Sequence, residues 1–567
     1  MSSQHSQLAP PVNIGKMGLL GHVINLLVLA LFLAVIPVTA SAQIWIDGED
    51  QNDITYTNYD EIGTANIDYG LLLNGVNDGT GTIGTANLDL GFLVNGGGSA
   101  FNGFLDFDIS GIESGGTGYI ETVNVNSNDI LAFVYNGYGG TGNIGTLNYN
   151  NARGLLDYVL NGSDGGTGTI ETLNYNVNDW SRIGYVFNGV NVRSVNEYFG
   201  GGLDAFLPTS GELGGTGYIE TLNFGGGNVH NGFGEGAYGE ITTVNINNGG
   251  WIYNGCNDGT GYIGTVNFDS SGRMHNGLVG TGHIETLNFN GDGAELNNGD
   301  FGGMGTIGTL NVNGNGQVRN GSTPIGTGHI DTANVYGGTL YNSYNGGNGS
   351  IGTANLHGGT VVNAGRIDTL TYTSGTYQWQ SGGSIGTLTL AGNPVNNTGE
   401  WGNITNLRFA DNGNGILTIV AYVDDFVPMG IMGFSVASAE VPQNIKFSSA
   451  VNAENIDFTY GNIALDLTGL GDSLIAALFG DGFLLSSLFG TADVVGTEEL
   501  YSLQLVRGEE WFFVLDDGVL ADGWDFANGF VTWDGTAIVW QSDVPEPATL
   551  VVLGLGLAGL GLARRRK

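Results

Sequence analysis

The feature that most constrains the fold of this chain is a six-residue unit that recurs along most of its length. Each copy runs Ile, usually Gly, Glu or Asp, then Thr, then Leu, Val or Ala, then Asn, then an aliphatic or aromatic residue. Repeats with a period of 20–50 residues are typical of solenoids, in which each repeat stacks on its neighbours. The clear copies begin at Ile62, Ile83, Ile120, Ile144, Ile170, Ile219, Ile241, Ile263, Ile284, Ile307, Ile330 and Ile351, and weaker ones at Ile367, Ile385 and Ile404.

The composition of the repeats indicates β-strands. Their runs are rich in Ile, Val, Tyr, Phe and Thr and are separated by Gly and Asn, as strands and turns are. Between copies lies a second short apolar run that ends in Asn-Gly, as at 133–137 and 251–255. A leucine-rich repeat needs a helix-like return and a propeller blade needs about 40 residues, so neither fits. The sequence predicts an all-β fold, a parallel β-helix or β-solenoid of about 15 short rungs over residues 43–409.

The spacing inside the unit predicts a bend. Ile144, Leu147 and Tyr149 are all apolar, although strict alternation along a strand would put the first on the opposite face from the other two. A corner or bulge at the intervening Gly-Thr or Glu-Thr pair lets all three point inward. The recurrent Thr and Asn side chains would then lie one above another at about 4.8 Å and form polar ladders.

Residues 410–543 do not repeat, and they predict a small β-rich capping module. The Gly content falls there, and the runs 416–423, 511–515 and 530–533 have the composition of strands. Residues 473–488 are compatible with short helices. A cap is expected because an uncovered solenoid end exposes unpaired strand edges, which aggregate.

Charge and cysteine content exclude several classes of protein. The 567 residues carry a formal net charge of −40. A chain this negative would repel nucleic acid, which is itself a polyanion. Cys256 is the single cysteine, so a disulfide scaffold and a thiolate zinc cluster are both excluded. Hydrophobic residues make up 41% of the chain, too many for an intrinsically disordered protein.

Residues 1–42 have the pattern of a secretory signal peptide. Lys16 provides a positive flank, and an apolar run at 19–36 is followed by Pro37. Ala40 and Ala42 are the small residues that a signal peptidase requires before Gln43. This segment therefore predicts export.

The C-terminal residues 544–567 have three parts: Val544-Pro545-Glu546-Pro547, an apolar stretch at 548–563, and the basic cluster Arg564, Arg565, Arg566 and Lys567. This ending resembles the PEP-CTERM sorting signal. The resemblance implies a single transmembrane helix, with the basic cluster in the cytoplasm, and recognition by an exosortase-type membrane protease in a Gram-negative-type bacterium. It further implies anchoring in the inner membrane, processing, and delivery to the cell surface or extracellular matrix.

Polysaccharide lyases and hydrolases also use parallel β-helices, so a glycan site is an alternative to a purely structural role. The irregular stretch 150–213 interrupts the repeats and contains aromatic and cationic residues, which gives four candidate ligand-binding side chains: Trp180, Arg182, Tyr185 and Arg193. A line of acidic residues also follows the repeat isoleucines, and we expect it to be a solvated corner. Its members are Glu121, Glu171, Glu220, Glu285, Asp331 and Asp368.

Calcium is a possible cofactor. Asp78, Asp164 and Asp258 lie in Asn-Asp-Gly or Ser-Asp-Gly turns, where carboxylates and carbonyls supply the oxygen ligands that calcium takes. The same sequences are also ordinary turn formers. We found no pattern of a catalytic site, so the sequence predicts no catalytic residues.

The leading hypothesis is an exported, non-enzymatic structural or adhesive protein of the cell surface or matrix. Its expected partners are an exosortase-type protease, the inner membrane and exopolysaccharide. The alternative is a secreted β-helix protein that degrades or binds polysaccharide, with its site in the stretch 150–213.

Overall fold

The structure is a computed structural model. It describes residues 43–542 apart from internal gaps, so the predicted signal peptide at 1–42 and the predicted sorting signal at 544–567 lie outside the described residues. The gaps are 47–54, 69, 90, 98–100, 103–107, 110–114, 127–130, 152–155, 178–182, 192, 195–212, 393–400, 424–444, 448–451, 468–478, 480–491, 497–498, 508–509, 517–518, 521–523, 527–528 and 534–537.

The recurring units form one parallel sheet of 18 strands, which we call the first sheet. Each strand pairs with the next copy of the unit, so like residues are neighbours; Ile144, for example, is paired with Ile170. At about 4.8 Å per strand the sheet extends for about 80 Å. Its strands are Gln43–Ile46, Glu61–Ile67, Thr80–Leu88, Thr117–Val125, Thr141–Asn151, Thr167–Val177, Thr216–Phe224, Tyr238–Ile246, Thr260–Phe268, Thr281–Phe289, Met304–Val312, Thr327–Val335, Asn348–Leu356, Arg366–Tyr372, Ser384–Leu390, Asn403–Phe409, Asn452–Asp457 and Asp493–Val495.

The runs that end in Asn-Gly form a second parallel sheet, of 14 strands. One strand of this second sheet follows each strand of the first over most of the repeats, so each coil of the chain is a two-strand rung. The strands are Thr55–Asn58, Leu71–Asn74, Gly91–Gly97, Leu131–Tyr138, Leu156–Ser163, Ile183–Val190, Asn228–Phe233, Trp251–Cys256, Arg273–Leu278, Glu295–Asp300, Gln317–Asn320, Thr339–Asn342, Thr360–Asn363 and Thr376–Trp379. The predicted β-solenoid is confirmed.

The bend predicted inside the unit is also confirmed. In the strand Thr281–Phe289 the side chains of Ile284, Leu287 and Phe289 are buried, whereas Glu285 and Thr286 between them are not. The pairing with the preceding strand omits Glu285, as it omits the same position in other rungs. The extra residue shifts the alternation by one, and therefore three apolar side chains of each unit reach the core.

The core lies between the two sheets, and it continues beyond the repeats. One cluster of buried apolar side chains extends from Ile62 to Leu505. A second, smaller cluster lies on the other face of the second sheet and includes Phe133, Tyr135 and Tyr158. The strand Asn452–Asp457 pairs with Asn403–Phe409, which carries the last copy of the unit. The boundary expected at 409/410 therefore does not interrupt the core: the repeat sequence ends there, but two-strand coils continue.

The predicted strands of the C-terminal module are present. A six-stranded sheet contains Ile416–Val423, Ile445–Phe447, Asn462–Asp466, Ser502–Arg507, Glu510–Asp516 and Val519–Leu520. A three-stranded sheet contains Trp524–Phe526, Gly529–Trp533 and Ile538–Ser542. Outside this module, within the repeat region, a two-stranded sheet contains Phe101–Asn102 and Asp108–Ile109. One 3-10 turn spans Tyr344–Gly346. Apart from Phe479, the segment expected to contain short helices lies outside the described residues.

Candidate functional site

A ladder of buried asparagines connects the rungs of the second sheet. Each is the Asn of an Asn-Gly pair or its equivalent, and it donates a side-chain hydrogen bond of 2.7–2.9 Å to the side-chain oxygen of the next. Tyr377 ends the ladder, where its hydroxyl oxygen accepts from Asn363 at 3.0 Å. This buried ladder consists of Asn58, Asn74, Asn95, Asn136, Asn161, Asn188, Asn231, Asn254, Asn276, Asn298, Asn320, Asn342 and Asn363.

A second ladder, half-buried, follows the outer surface of the first sheet and has the opposite direction. Asn267 donates to Asn245, the residue of the preceding rung, at 2.8 Å and accepts from Asn288 at 2.9 Å. These are the asparagines of the six-residue unit, so the predicted Asn ladder is confirmed. The two ladders hold the stack in register from both sheets, because a side chain that slips by one residue loses both of its amide partners.

Two glycines in most rungs make room for the buried ladder. Gly255, which follows Asn254, has φ of +66°, and a Cβ there would lie 1.8 Å from the backbone oxygen of Thr281. A Cβ on Gly261 would lie 2.3 Å from the side-chain oxygen of Asn254. The recurrent Asn-Gly and Thr-Gly pairs are therefore parts of one packing arrangement.

The acidic line is exposed, as predicted. Between Glu220 and Asp368 at least one uncharged rung separates each acidic residue of the line from the next. Two rungs are about 10 Å, close to the screening length at physiological salt, so repulsion between these carboxylates is weak. His329 contacts Asp331 at 2.9 Å and Arg366 contacts Asp368 at 2.6 Å, each pair within one rung.

Tyrosines lie beside this line on the outer surface of the first sheet. Tyr119 and Tyr218 are among the exposed aromatic side chains, and the ring of Tyr262 stacks on His283 at 5.2 Å. Tyr238 donates its hydroxyl hydrogen to Glu240 at 3.0 Å. Burial, together with that bond, raises the pKa of Tyr238 to about 12. The surface therefore presents phenol and carboxyl groups side by side.

Charged and aromatic residues also meet on the outer surface of the second sheet. The strand pairing places Trp251, Arg273 and Glu295 at one position of three successive rungs. Arg319 and Tyr344 lie further along the same surface. We call these five residues the Arg-aromatic patch. Sequence reasoning missed them, although aligning the second-strand runs on their shared Asn-Gly pair would have brought most of the set together.

A buried histidine–aspartate contact lies next to this patch. His275 contacts Asp300 at 3.1 Å, and the side chain of Asp300 is only 4% exposed. Burial raises the pKa of this carboxyl, but the contact with His275 and the hydrogen bond from the Phe301 amide, with the Ser322 hydroxyl nearby, outweigh burial and leave the pKa below its ordinary value. Asp300 is therefore ionised at neutral pH and fixes the orientation of the His275 ring.

Two of the four side chains predicted to bind a ligand can be placed. Tyr185 is half-buried in a row of aromatic rings, 5.5 Å from Tyr158 and 5.8 Å from Phe187. Arg193 is exposed. Trp180 and Arg182 lie outside the described residues, so their grouping into one site stays a prediction.

The aspartates proposed for calcium occupy separate turns. Asp78, Asp164 and Asp258 all have left-handed backbone, with φ of 57°, 51° and 66°. Within the described ranges, no three His, Cys, Asp or Glu side chains are grouped closely enough to hold a metal ion. Calcium binding stays a prediction.

The fold and its surfaces define the class of protein: a repetitive β-solenoid with an exposed acidic line on the outer surface of its first sheet. Residues 543–567 match the family described as the PEP-CTERM protein-sorting motif. The chain is therefore an exported protein that carries a C-terminal PEP-CTERM sorting signal, and this signal implies processing by an exosortase. No curated protein and no solved structure matches the chain.

The sorting motif covers the predicted residues Val544, Pro545, Glu546, Pro547, Arg564, Arg565 and Arg566. These side chains and the signal-cleavage residues Ala40 and Ala42 lie outside the described residues, and so does the predicted transmembrane helix. In the part of the chain that the structure describes, no helix has the length and apolar character to cross a membrane.

Proposed function

We propose that this chain is a non-enzymatic structural or adhesive protein of the cell surface or extracellular matrix, associated with exopolysaccharide. In this proposal the signal peptide directs export, the C-terminal helix holds the protein in the inner membrane, and an exosortase then processes the tail. The observation that carries the proposal is that one chain contains both a sorting signal and a long stack of rungs in register.

The repetition itself supplies the mechanism. Successive rungs present similar outward side chains about 4.8 Å apart, so a linear polymer lying along the stack meets the same chemistry repeatedly. Individual contacts of this kind are weak, but many of them on one rigid scaffold give a high avidity. The hydrogen-bonded ladders keep the scaffold stiff, as a spacer or matrix protein requires.

The alternative, a polysaccharide-degrading enzyme, has weaker support. Glu171 and Glu220 are the neighbouring acidic pair in the line, in adjacent rungs at the same position. A retaining hydrolase uses two carboxyl groups about 5 Å apart. Both of these side chains are exposed, however, whereas glycosidases desolvate one carboxyl to keep it protonated. Release of sugar products by the purified protein, abolished by Glu171→Gln, would favour the enzyme.

The test of the proposal is the C-terminal mass of the protein recovered from the cell surface. The full chain is expressed beside a variant with Pro545→Ala and Pro547→Ala. We expect the surface form to lack the residues after the Pro-Glu-Pro motif, and the variant to keep them and to remain with the inner membrane. A surface form that still ends at Lys567, or equal matrix retention of both proteins, would contradict the proposal.

A further inference from the structure

The Arg-aromatic patch joins two arginines through one carboxylate. Arg273 Nε lies 3.3 Å from Glu295 Oε2, and Arg319 Nη1 lies 3.5 Å from the same oxygen. Each guanidinium also lies over an aromatic ring: Arg273 is 5.3 Å from the ring centroid of Trp251, and Arg319 is 5.0 Å from that of Tyr344. The rings and Glu295 hold both cations at fixed positions.

The patch carries more positive than negative charge. Two guanidinium groups face a single carboxylate, in a chain with 14 basic and 54 acidic residues. Arg273 keeps about half of its side chain exposed (49%), so donors remain available beyond its contact with Glu295. The neighbouring Asp300 is already paired with His275 and turned into the protein. The net charge of −40 disfavours a densely charged polyanion such as nucleic acid, but the local excess of positive charge at the patch suits an anion whose charge lies on spaced planar groups that each accept two hydrogen bonds, as the carboxylates of sugars do.

The patch is also long. Trp251 and Thr339 occupy the same position four rungs apart, a distance of about 19 Å, and Tyr344 follows directly after the second of these strands. Trp251 is 37% exposed at one end, so part of its ring faces solvent. An exposed indole offers an apolar surface on which the ring of a sugar can lie, with polar groups at its edge. A compact anion such as phosphate would use only a fraction of this surface.

We propose that the Arg-aromatic patch binds a linear polysaccharide that contains uronic acids. A carboxylate of the sugar pairs with the exposed guanidinium of Arg273, while a neighbouring sugar ring lies against Trp251. Arg319, only 18% exposed and already bonded to Glu295, Asn297 and Gln317, adds positive charge beneath this contact. This inference rests on the proposed association with exopolysaccharide and specifies the chemical class of the polymer and the surface that binds it.

The test measures binding of an oligomer of galacturonic acid to the full-length protein in detergent by calorimetry, at about 0.15 M salt to screen the net charge. We expect Arg273→Gln and Trp251→Ala each to weaken binding about tenfold or more, as the loss of a charge-assisted or stacking contact does. Arg366→Gln is the matched control, since Arg366 is an exposed arginine of the first sheet paired with Asp368. We expect it to bind within about twofold of the unchanged protein.

Unchanged binding by Arg273→Gln, with its melting temperature also unchanged, would overturn the inference. So would equal binding of a neutral glucose oligomer, equal binding of a sulfated oligosaccharide, or no binding at all. If the uronate oligomer does not bind at the patch but C-terminal processing and matrix retention are intact, the proposed function still stands. Failure of processing would remove the proposed function even if the uronate oligomer bound.

Discussion

The side-chain amide of Asn254 donates a 2.7 Å hydrogen bond to the side-chain oxygen of Asn276, and both residues are fully buried. The same amide donates at 3.0 Å to the backbone oxygen of His283, in the first sheet. One side chain therefore connects successive rungs and also joins the two sheets. Because this arrangement recurs along the second sheet, the buried ladder determines which residues can stack.

Removing one member of the buried ladder should destabilise the protein strongly. Asn254→Ala leaves the amide of Asn231, the oxygen of Asn276 and the backbone oxygen of His283 without this partner in a dry interior. We expect a loss of about 3 kcal/mol in unfolding free energy. Asn267→Ala, in the half-buried outer ladder, is the control and should lose less than about 1 kcal/mol because water can replace the amide. Urea unfolding followed by circular dichroism measures both, and equal losses would refute the distinction.

The glycine that follows Asn254, as glycine follows most of the ladder asparagines, should be essential. Gly255→Ala combines left-handed backbone with a Cβ that would collide with the Thr281 backbone oxygen, so we expect a loss of more than about 3 kcal/mol. Gly293 has a similar φ of +70° but open space around the added Cβ, so Gly293→Ala should lose only about 1 kcal/mol. Melting temperatures of the two variants make the comparison. If Gly293→Ala proves as harmful, backbone strain and not the close approach is responsible.

The stability of the protein should fall as the medium is acidified below about pH 6.5, in part because of His230. Its ring stacks between Phe187 and Tyr253, at 4.9 and 4.6 Å, and lies 3.5 Å from the Cys256 sulfur. Burial lowers the pKa of His230 to about 3. The unfolded chain therefore takes up a proton near pH 6.5 that the folded chain does not, and this contribution to stability is present above pH 6.5 and is lost toward pH 3.

For His230 alone, the unfolding free energy changes with pH by at most about 1.4 kcal/mol per pH unit. Unfolding free energies measured between pH 5 and 7 avoid most of the carboxylate titration. His230→Phe keeps the stack and should reduce the slope, whereas His357→Gln, at an exposed histidine, should leave it unchanged. A slope that His230→Phe does not alter would show that this ring does not produce the acid sensitivity.

Much of the fold follows from the sequence because the strand signal is local and repeated. The parity of Ile144, Leu147 and Tyr149 was enough to predict the bend. The role of the Asn in each Asn-Gly pair was not predictable in the same way, since such a pair is also an ordinary turn former. The burial of this asparagine depends on the register between rungs, which cannot be read from the local sequence. The coil at 452–457 was missed because it lacks the repeated unit and follows a long connection.

The candidate surfaces were less predictable than the fold. Arg273 and Arg319 lie 46 residues apart in the chain, and only the stacking of rungs brings them to one carboxylate. The sequence predicted that Tyr185 binds a ligand because its side chain is aromatic, but its ring packs within a row of aromatic side chains. Composition identifies residues that suit a ligand, whereas the face on which each residue lies depends on the coil.

The most direct test of the stacking is the distance between spin labels on the outward threonines of the first sheet. Cysteines replace Thr221 and Thr332, which are five rungs apart, and in a second protein Thr122 and Thr332, which are eight rungs apart. The account predicts separations of about 24 and 38 Å in double electron–electron resonance. Distances that do not increase with the number of rungs, or a broad distribution for both pairs, would contradict it.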